Sequence, residues 1–400
     1  MIIRNRPVTG GGDPQARHGN ALDRPEIDET TFVNEIERLG WRGETGCKRK
    51  AKGPGAQGFE FFEVDVGLIG HSFSSPQFYS KIVTLSLRLC YTLHMEALRM
   101  REQDEEIHAL RQYLTDEIII AFGLKKTIVT RRAFDFFFNR ITTRLSTICV
   151  LTDRKISSEG FPAATGWMAG HWIRETRTRG AESVPAKGPL LVVSNHVGAY
   201  DILVVPSQIS RRDIKIIASD TPFFKSLPNA SQHMIYASEE PGNRMAAARH
   251  GITCIKEGGA LLLFGTGLID PDPAIYPQAE SEIGNWSRSI DLFLRQVPQA
   301  QVVICILSGI VLPRWAHSPL TWLRRIHWQK RRIAEYGQVI EQLLFPGKPN
   351  ISPSMTIAPP VGVEELRCES GSDQLLPAVI SRGRMLLADH IAWIQAESRN

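Results

Sequence analysis

The chain has 400 residues, of which 42% are hydrophobic and 22% are charged, so a globular protein with one large domain or two ordinary ones is expected. Its formal net charge of +5 falls far short of the composition of a dedicated nucleic-acid-binding protein, but it suits phosphorylated substrates or an anionic lipid surface. The six cysteines form no C-x-x-C pair, which excludes a zinc ribbon and a thioredoxin-like redox motif.

The front of the chain is predicted to be a flexible segment followed by helices. Residues 1–57 are rich in glycine, proline and mixed charge and have no apolar run typical of a secretory signal. Residues 58–180 are predicted to be a helical region, because apolar residues recur there at spacings of three and four. No stretch reaches the roughly 18–20 continuous apolar residues of a spanning helix. We therefore expect a cytoplasmic protein that, if it meets a membrane, lies peripherally on its inner face.

The pattern of apolar residues changes in residues 181–365, where short apolar runs alternate with helical segments. These runs lie at 190–193, 214–218, 234–237, 260–264 and 302–307. Continuous runs of Val, Ile and Leu are typical of strands buried on both faces, and their alternation with helices indicates a parallel sheet. The predicted fold class is α/β, a mostly parallel sheet flanked by helices with a helical N-terminal region. Residues 366–400 are predicted to form a C-terminal helix.

The most informative segment spans 190–203, a buried strand that leads through a short turn into an apolar helix. His196 follows the strand, at the edge of an α/β sheet where ligands bind. A spacing of five puts His196 and Asp201 on different faces of a regular helix, so they can meet only across a strand-to-helix turn, for which Gly198 gives backbone freedom. Asp201 would then fix one imidazole tautomer and leave the other nitrogen to act as a general base.

Residues 195–201 read N-H-V-G-A-Y-D, which resembles the N-H-x-x-x-x-D motif of the phospholipid and glycerol acyltransferase family. The resemblance covers roughly 172–363 and implies the fold of glycerol-3-phosphate acyltransferases. It implies that His196 deprotonates an acceptor hydroxyl, that Asp201 orients it and that Asn195 lines the site. The hydroxyl would attack the thioester of acyl-CoA or acyl-carrier protein directly, without a metal or bound cofactor. The expected acceptor is a glycerophospholipid precursor or a similar hydroxyl compound.

The family's second block, F-P-E-G-T, corresponds to the end of the run at 260–264. Phe264 and Gly267 match, whereas Gly265 and Thr266 stand in place of the Pro and Glu. By the resemblance, Thr266 and Gly267 line the substrate site, and the missing Glu points to a different acceptor. Two acidic residues follow in Asp-Pro pairs, which are typical of turns but offer a substitute polar contact: Asp270 and Asp272.

The family's phosphate-binding Arg after the preceding strand is absent, because the chain reads Met234 to Glu240 there without a cation. Arg244 and Arg249, in a helix-like segment, are the nearest candidates for a substrate phosphate. A solvated helix face is the equally weighted alternative for both.

A stretch rich in Trp and Arg follows the last strand. If it is helical from Pro319, one side carries Trp322, Ile326 and Ile333, and another side carries a set of arginines. These arginines are Arg324, Arg331 and Arg332. Such a pattern is typical of a helix in a membrane interface, or of an amphipathic helix packed on the sheet with a basic outer face.

Two other functions stay open. The altered blocks allow a protein that binds lipid or acyl carrier without turning it over. Residues 64–75 resemble the nucleophile elbow of α/β hydrolases, with Ser72 as nucleophile, but the glycine needed two residues later is Ser74. The hydrolase alternative predicts a covalent acyl-serine, which the acyltransferase mechanism lacks.

Overall fold

A computed structural model describes residues 101–238, 240–345 and 351–397, together with Thr92. Within residues 101–176 three helices precede the sheet, in agreement with the helical N-terminal region that the sequence predicts: α1 (101–121), α2 (Ile128–Glu159) and α3 (Phe161–Ala169). Thr127 begins α2 by accepting the Thr130 amide at 3.1 Å, which satisfies a free donor of the first turn. The flexible segment predicted for residues 1–57 and the hydrolase candidate Ser72 lie outside the described residues.

The α/β prediction is confirmed by a mostly parallel sheet of eight strands. Its strands are β1 (Arg177–Arg179), β2 (Leu190–Ser194), β3 (Lys215–Ser219), β4 (Met234–Ala237), β5 (Ala260–Phe264), β6 (Gln301–Ser308), β7 (Ser354–Ile357) and β8 (Val361–Gly362). The order is β1-β7-β6-β2-β5-β3-β4, and β8 also pairs with β6. Pairs β6–β7 and β6–β8 are antiparallel and the others are parallel. All five predicted strands are present, and β1, β7 and β8 are additional.

Helices cover both faces of the sheet. They are α4 (Asp201–Gln208), α5 (Pro222–Lys225), α6 (Pro228–Ser231), α7 (Pro241–Lys256), α8 (Ala279–Ile283), α9 (Ser289–Gln296), α10 (Pro313–Ala316), α11 (His327–Leu344), α12 (Val363–Ser370) and α13 (Leu376–Glu397). Central strand β2 is buried throughout. Leu190 and Val192 join the apolar core on one face, and Leu191 and Val193 join that on the other. This two-sided burial explains why the strand reads as a continuous apolar run.

The register of the sheet brings three strand ends together. Ser194 at the end of β2 lies opposite Phe264 of β5 and Cys305 of β6, and both pairings are parallel. The loops that leave β2, β5 and β6 therefore meet at one edge of the sheet, where open α/β sheets bind their ligands.

The limits of the domains stay a prediction, but the structure shows what joins the sheet. β1 already lies in the sheet before residue 181. At the other end, α13 packs on β6, and its fully buried His390 bonds with the hydroxyls of Ser308 and Thr356. Burial lowers the pKa of His390 to about 4, so this imidazole is a neutral bridge at pH 7. The predicted C-terminal helix is thus an integral layer of the fold.

The prediction of one helix from Pro319 is wrong. Residues Pro319–Leu323 form a 3-10 helix, the chain is extended at Arg324 and Ile326, and α11 begins only at His327. The break puts Ile333 in the core, whereas Trp322 is 77% exposed, so these residues do not share a side.

The three arginines of this stretch make specific contacts instead of forming one basic face. The Arg324 guanidinium donates to the carbonyls of Ile120 and Ala121 at the end of α1. Arg331 donates to the Ile269 carbonyl, and Arg332 pairs with Glu117. Within the part of the chain that the structure describes, no helix is both long enough and apolar enough to cross a bilayer.

Arg211 supports the turn before β2, and its removal is expected to destabilise the fold. The side chain is 1% exposed and donates to the carbonyls of Pro185, Gly188 and Gly258 and to the Asp213 carboxylate. Arg211→Met would leave buried carbonyls unpaired, so we expect the free energy of unfolding to fall by about 3 kcal/mol.

Chemical denaturation of wild type and Arg211→Met measures this effect. Arg212→Met is the matched control, because that neighbouring side chain is exposed and should change stability little. A loss of under about 1 kcal/mol for Arg211→Met would show that water replaces its hydrogen bonds.

Candidate active site

His196 and Asp201, here called the dyad, meet in the turn between β2 and α4. His196 Nδ1 lies 2.9 Å from Asp201 Oδ2, and the same oxygen accepts the Gly198 amide at 3.0 Å. Residues 195–200, here called the dyad loop, are not helical, so the chain turns back before α4 begins at Asp201. The spacing of five residues is closed in the way the sequence predicts.

The surroundings fix the His196 ring and leave one nitrogen open. The ring stacks on Phe264 with centroids 4.5 Å apart, and about a quarter of the side chain is exposed. Asp201 is fully buried, and its carboxylate is the hydrogen-bond partner of Nδ1. No residue in the described ranges forms a hydrogen bond to Nε2, so this nitrogen is available to a bound molecule.

The pKa values of the pair reflect burial and mutual attraction. Burial alone would lower the pKa of His196, but the hydrogen bond and charge of Asp201 outweigh it, and the pKa lies above its ordinary value. Burial raises the pKa of the Asp201 carboxyl, and the hydrogen bonds from His196 and Gly198 counteract that rise. An ionised Asp201 therefore depends on the imidazole beside it.

Asp270 and Thr266 hold the backbone of His196 from the loop after β5. Asp270 Oδ2 accepts the His196 amide at 2.9 Å, and the Asp270 amide donates to the His196 carbonyl at 2.5 Å. The Thr266 hydroxyl donates to Asp270 Oδ1 at 2.6 Å. Burial raises the pKa of Asp270 to about 6. Thr266 thus supports the site through Asp270, and the exposed Gly267 forms the left-handed turn beside it with φ +69°.

Asp272 holds the loop after β6 at this edge of the sheet. Its buried carboxylate accepts the amides of Gly309, Ile310 and Val311 after β6, as well as the amide of Ala274. Its contact is structural, because a carboxylate with this many amide donors has few positions left for a ligand. The two Asp-Pro residues therefore join the loops after β2, β5 and β6.

Asn195 also has a structural contact, and its predicted contact with the substrate stays a prediction. Its Nδ2 donates to the Leu307 carbonyl and its Oδ1 accepts the Leu307 amide, both at 2.8 Å. The side chain is 5% exposed. Asn195 therefore joins the dyad loop to β6 by a pair of hydrogen bonds to the backbone, as a neighbouring strand would. The motif alone does not predict this contact.

Arg244 and Arg249 stay predictions as phosphate ligands. Both side chains are exposed on α7, which follows the edge strand β4. The sheet order separates β4 from β2 by β3 and β5. No hydrogen bond or ion pair within the described ranges joins either arginine to the dyad loop.

A cavity of about 440 Å³ lies beside the loop after β5. Its lining includes aromatic and basic side chains, namely Tyr276, His317, Trp322, His327, Lys330 and Arg331. The Arg331 guanidinium donates to the Ile269 carbonyl at 2.6 Å, next to Asp270, which holds His196. This basic cavity and the dyad thus share one loop.

Glu335 is a buried group near the dyad that the sequence analysis misses. It lies on α11, and a Cβ atom at Gly198 would stand only 2.8 Å from its Oε1. No motif links α11 to the dyad loop, and helical periodicity alone assigns Glu335 no partner. Among the described residues, no cluster of three or more His, Cys, Asp or Glu side chains is arranged to hold a metal.

Residues 175–280 match the model of the Acyltransferase family, and this range contains both His196 and Asp201. The match confirms the resemblance drawn from the N-H-x-x-x-x-D motif. No curated protein matches the chain. Among solved structures the chain is similar to the 1-acyl-sn-glycerophosphate (LPA) acyltransferase PlsC from Thermotoga maritima, with 15% identity, 72% of this chain and 98% of that chain covered, and a TM-score of 0.34.

Proposed function

We propose that this chain, whose residues 175–280 match the Acyltransferase family, transfers a fatty acyl group from a thioester to the hydroxyl of a lipid-type acceptor. The observation that carries the proposal is the 2.9 Å contact between His196 Nδ1 and the buried Asp201 carboxylate. Such a contact fixes the tautomer in which Nε2 is a proton acceptor. An open Nε2 at the edge of the sheet is suited to a general base.

The chemistry needs no covalent enzyme intermediate. His196 Nε2 takes the proton of the acceptor hydroxyl while its oxygen attacks the thioester carbonyl. The negative charge of Asp201 stabilises the imidazolium that forms. The tetrahedral intermediate then expels the thiolate, which takes the proton back from Nε2. The products are an ester and a free thiol, and His196 is again neutral.

The donor and acceptor are part of the proposal. The donor is acyl-CoA or acyl-carrier protein, and the acceptor is a glycerophospholipid precursor or a similar hydroxyl compound. The basic cavity supports a phosphate-bearing substrate, because Lys330 and Arg331 line it next to the loop that holds His196. Thr266 stands in place of the family's Glu, and its hydroxyl already donates a hydrogen bond to Asp270. This replacement favours an acceptor other than glycerol phosphate.

The test is release of free thiol from acyl-CoA and from acyl-carrier protein, with a panel of hydroxyl acceptors. Release that requires an acceptor, with a new ester as product, supports acyl transfer and names the substrate class. Thioester binding without release would instead favour a lipid or acyl-carrier binding protein. Release into water through an acyl-serine at Ser72 would favour the hydrolase alternative.

Contact with an anionic membrane surface is a second part of the proposal. Four apolar side chains near the break before α11 are exposed: Leu320, Trp322, Leu323 and Ile326. We call them the apolar tip. Arg324 ties this segment to the end of α1, where Lys125 and Lys126 are exposed. Apolar side chains beside lysines are typical of a surface that enters the interface of an anionic bilayer. Trp322 also lines the basic cavity, so a lipid substrate would have a short path into it.

Removing part of the apolar tip is expected to weaken membrane binding. Trp322→Ala with Leu323→Ala removes two large exposed apolar groups, which should reduce sedimentation with anionic vesicles about tenfold or more. Met385→Ala is the control, because Met385 is 61% exposed on α13, away from the apolar tip. Equal sedimentation of all three proteins would remove the apolar tip from the proposal.

A further inference from the structure

The buried carboxyl of Glu335 lies directly behind the dyad loop. Glu335 is on α11 and its side chain is 7% exposed. Gly198 has no side chain, and a Cβ atom there would lie 2.8 Å from Glu335 Oε1, so α11 approaches the dyad loop as closely as a glycine allows. The Ala199 amide faces the Glu335 carboxyl. α11 therefore supports the dyad loop through Glu335 and also through Gln342, whose Oε1 accepts the Tyr200 hydroxyl at 2.6 Å.

Two carboxyl oxygens in this region lack a donor. Asp201 Oδ1 and Glu335 Oε1 are both buried and have no hydrogen-bond partner among the residues described. A buried carboxylate oxygen without a donor is costly, and two neighbouring carboxylates disfavour each other's ionisation. A proton on one of the two groups removes the repulsion between them and the cost of one of the two buried charges. Asp201 is the group that the imidazole and the Gly198 amide stabilise as an anion, so the proton belongs on Glu335.

The other charged and titratable groups around Glu335 do not neutralise an anion there. The charge of Arg332, on the same helix, acts on Glu335, but its guanidinium donates to Glu117 of α1 at 3.0 Å and to the Tyr336 hydroxyl at 3.3 Å. From the dyad loop the facing titratable groups are His196 and Tyr200, and Asp201 faces Glu335 from the start of α4. Burial first, and the charge of Asp201 next, raise the pKa of Glu335 to about 8 despite the opposing charges of His196 and Arg332.

We infer that Glu335 is a positioning residue of the proposed acyltransferase site, a neutral carboxylic acid that holds the dyad loop and leaves Asp201 as the single negative charge beside His196. The inference rests on the proposed function for its catalytic part. An ionised Glu335 would add a second buried anion next to the dyad, repel Asp201 and over-stabilise the imidazolium. The group acts through the loop and the dyad and does not touch the substrate.

The pH profile separates this role from simple packing. Wild-type kcat should fall as the pH rises through about 8, where Glu335 loses its proton. Glu335→Gln is neutral at every pH and keeps an acceptor for the Ala199 amide, so it should keep kcat within about threefold at pH 7 and lose the alkaline fall. Glu335→Ala removes the contact with Ala199 and should lower kcat about tenfold with little change in KM.

Glu341→Gln is the matched control, because Glu341 lies on the same helix but contacts Arg314 and Trp315 instead of the dyad loop. It should keep both the rate and the alkaline fall. An unchanged alkaline fall in Glu335→Gln, or full kcat in Glu335→Ala, would overturn the inference.

A stability measurement tests the protonation without any assay of activity. The folded pKa of Glu335 is raised from 4.5, so the proton's contribution to stability is complete below pH 4.5 and is lost as the pH rises to about 8. The melting temperature of Glu335→Gln minus that of wild type should therefore increase as the pH rises from 4.5 to about 8. A constant difference would refute the neutral acid. If no acceptor supports turnover but the difference shifts as expected, the proposed function fails while the protonation stands.

Discussion

Replacing His196 by asparagine is expected to lower kcat for acyl transfer by about three orders of magnitude, because general bases contribute roughly 10²–10⁴-fold. Asparagine places its Nδ2 donor close to the position of Nδ1, so it keeps a hydrogen bond to the buried Asp201. It has no group at the position of Nε2 and cannot accept the acceptor's proton. The measurement is acceptor-dependent thiol release, with KM determined separately from kcat.

The choice of asparagine controls for folding. Alanine at position 196 would leave the Asp201 carboxylate buried with only the Gly198 amide as donor, and its instability would obscure the catalytic effect. His250→Asn serves as the second control, because His250 is exposed on α7 and should leave kcat unchanged. A rate within tenfold of wild type for a folded His196→Asn protein would eliminate His196 as the base.

Replacing Asp201 by asparagine is expected to lower kcat by about 10²–10⁴-fold with little change in KM. Asp201 Oδ2 contacts both Nδ1 and the Gly198 amide, so asparagine keeps both contacts only with its uncharged oxygen at this position. With its NH2 group there instead, asparagine loses the Gly198 bond and donates to Nδ1, and the imidazole takes the opposite tautomer, with the proton on Nε2 and no acceptor for the substrate. The negative charge that stabilises the imidazolium is also lost.

The pH dependence gives a second result for Asp201→Asn. The Asp201 hydrogen bond and charge hold the pKa of His196 above its ordinary value against the effect of burial. The wild-type rate should therefore rise with pH as His196 loses its proton, and this rise should move to lower pH in the variant. Asp389→Asn, at an exposed partner of Arg179, is the matched control. An unchanged position of the rise would show that Asp201 does not set the basicity of His196.

The parts of the fold that the sequence predicts are those in which neighbours along the chain share one environment. Strands such as β2 and β5 are buried on both faces, so every residue in the run is apolar and the run is visible. β7 and β8 have four and two residues, and they pair antiparallel with β6, so no alternation with helices marks them. The sequence does not indicate the break before α11, because the pattern of Trp and Arg residues fits a helix locally. Contacts with α1 instead hold Arg324 in an extended chain.

The sequence predicts the contact between His196 and Asp201, because the motif, the preceding strand and Gly198 all lie within a few residues. It does not predict the contacts of the residues around this pair. Asn195 reads as a motif residue, yet its amide is consumed by Leu307 of β6, far along the chain. Thr266 acts through Asp270, and Glu335 belongs to a helix that no motif connects with the dyad loop.

The sequence by itself thus determined the α/β class, the central strands and the contact between His196 and Asp201. Residue type, burial pattern and short-range spacing are local properties, so they can be recognised from neighbouring residues in the sequence. The tertiary structure alone decided which carboxyl groups surround the pair, which loop residues are already bonded and where the basic cavity lies. These depend on the register of the sheet and the placement of α11, which bring together residues more than a hundred positions apart, such as Asn195 and Leu307.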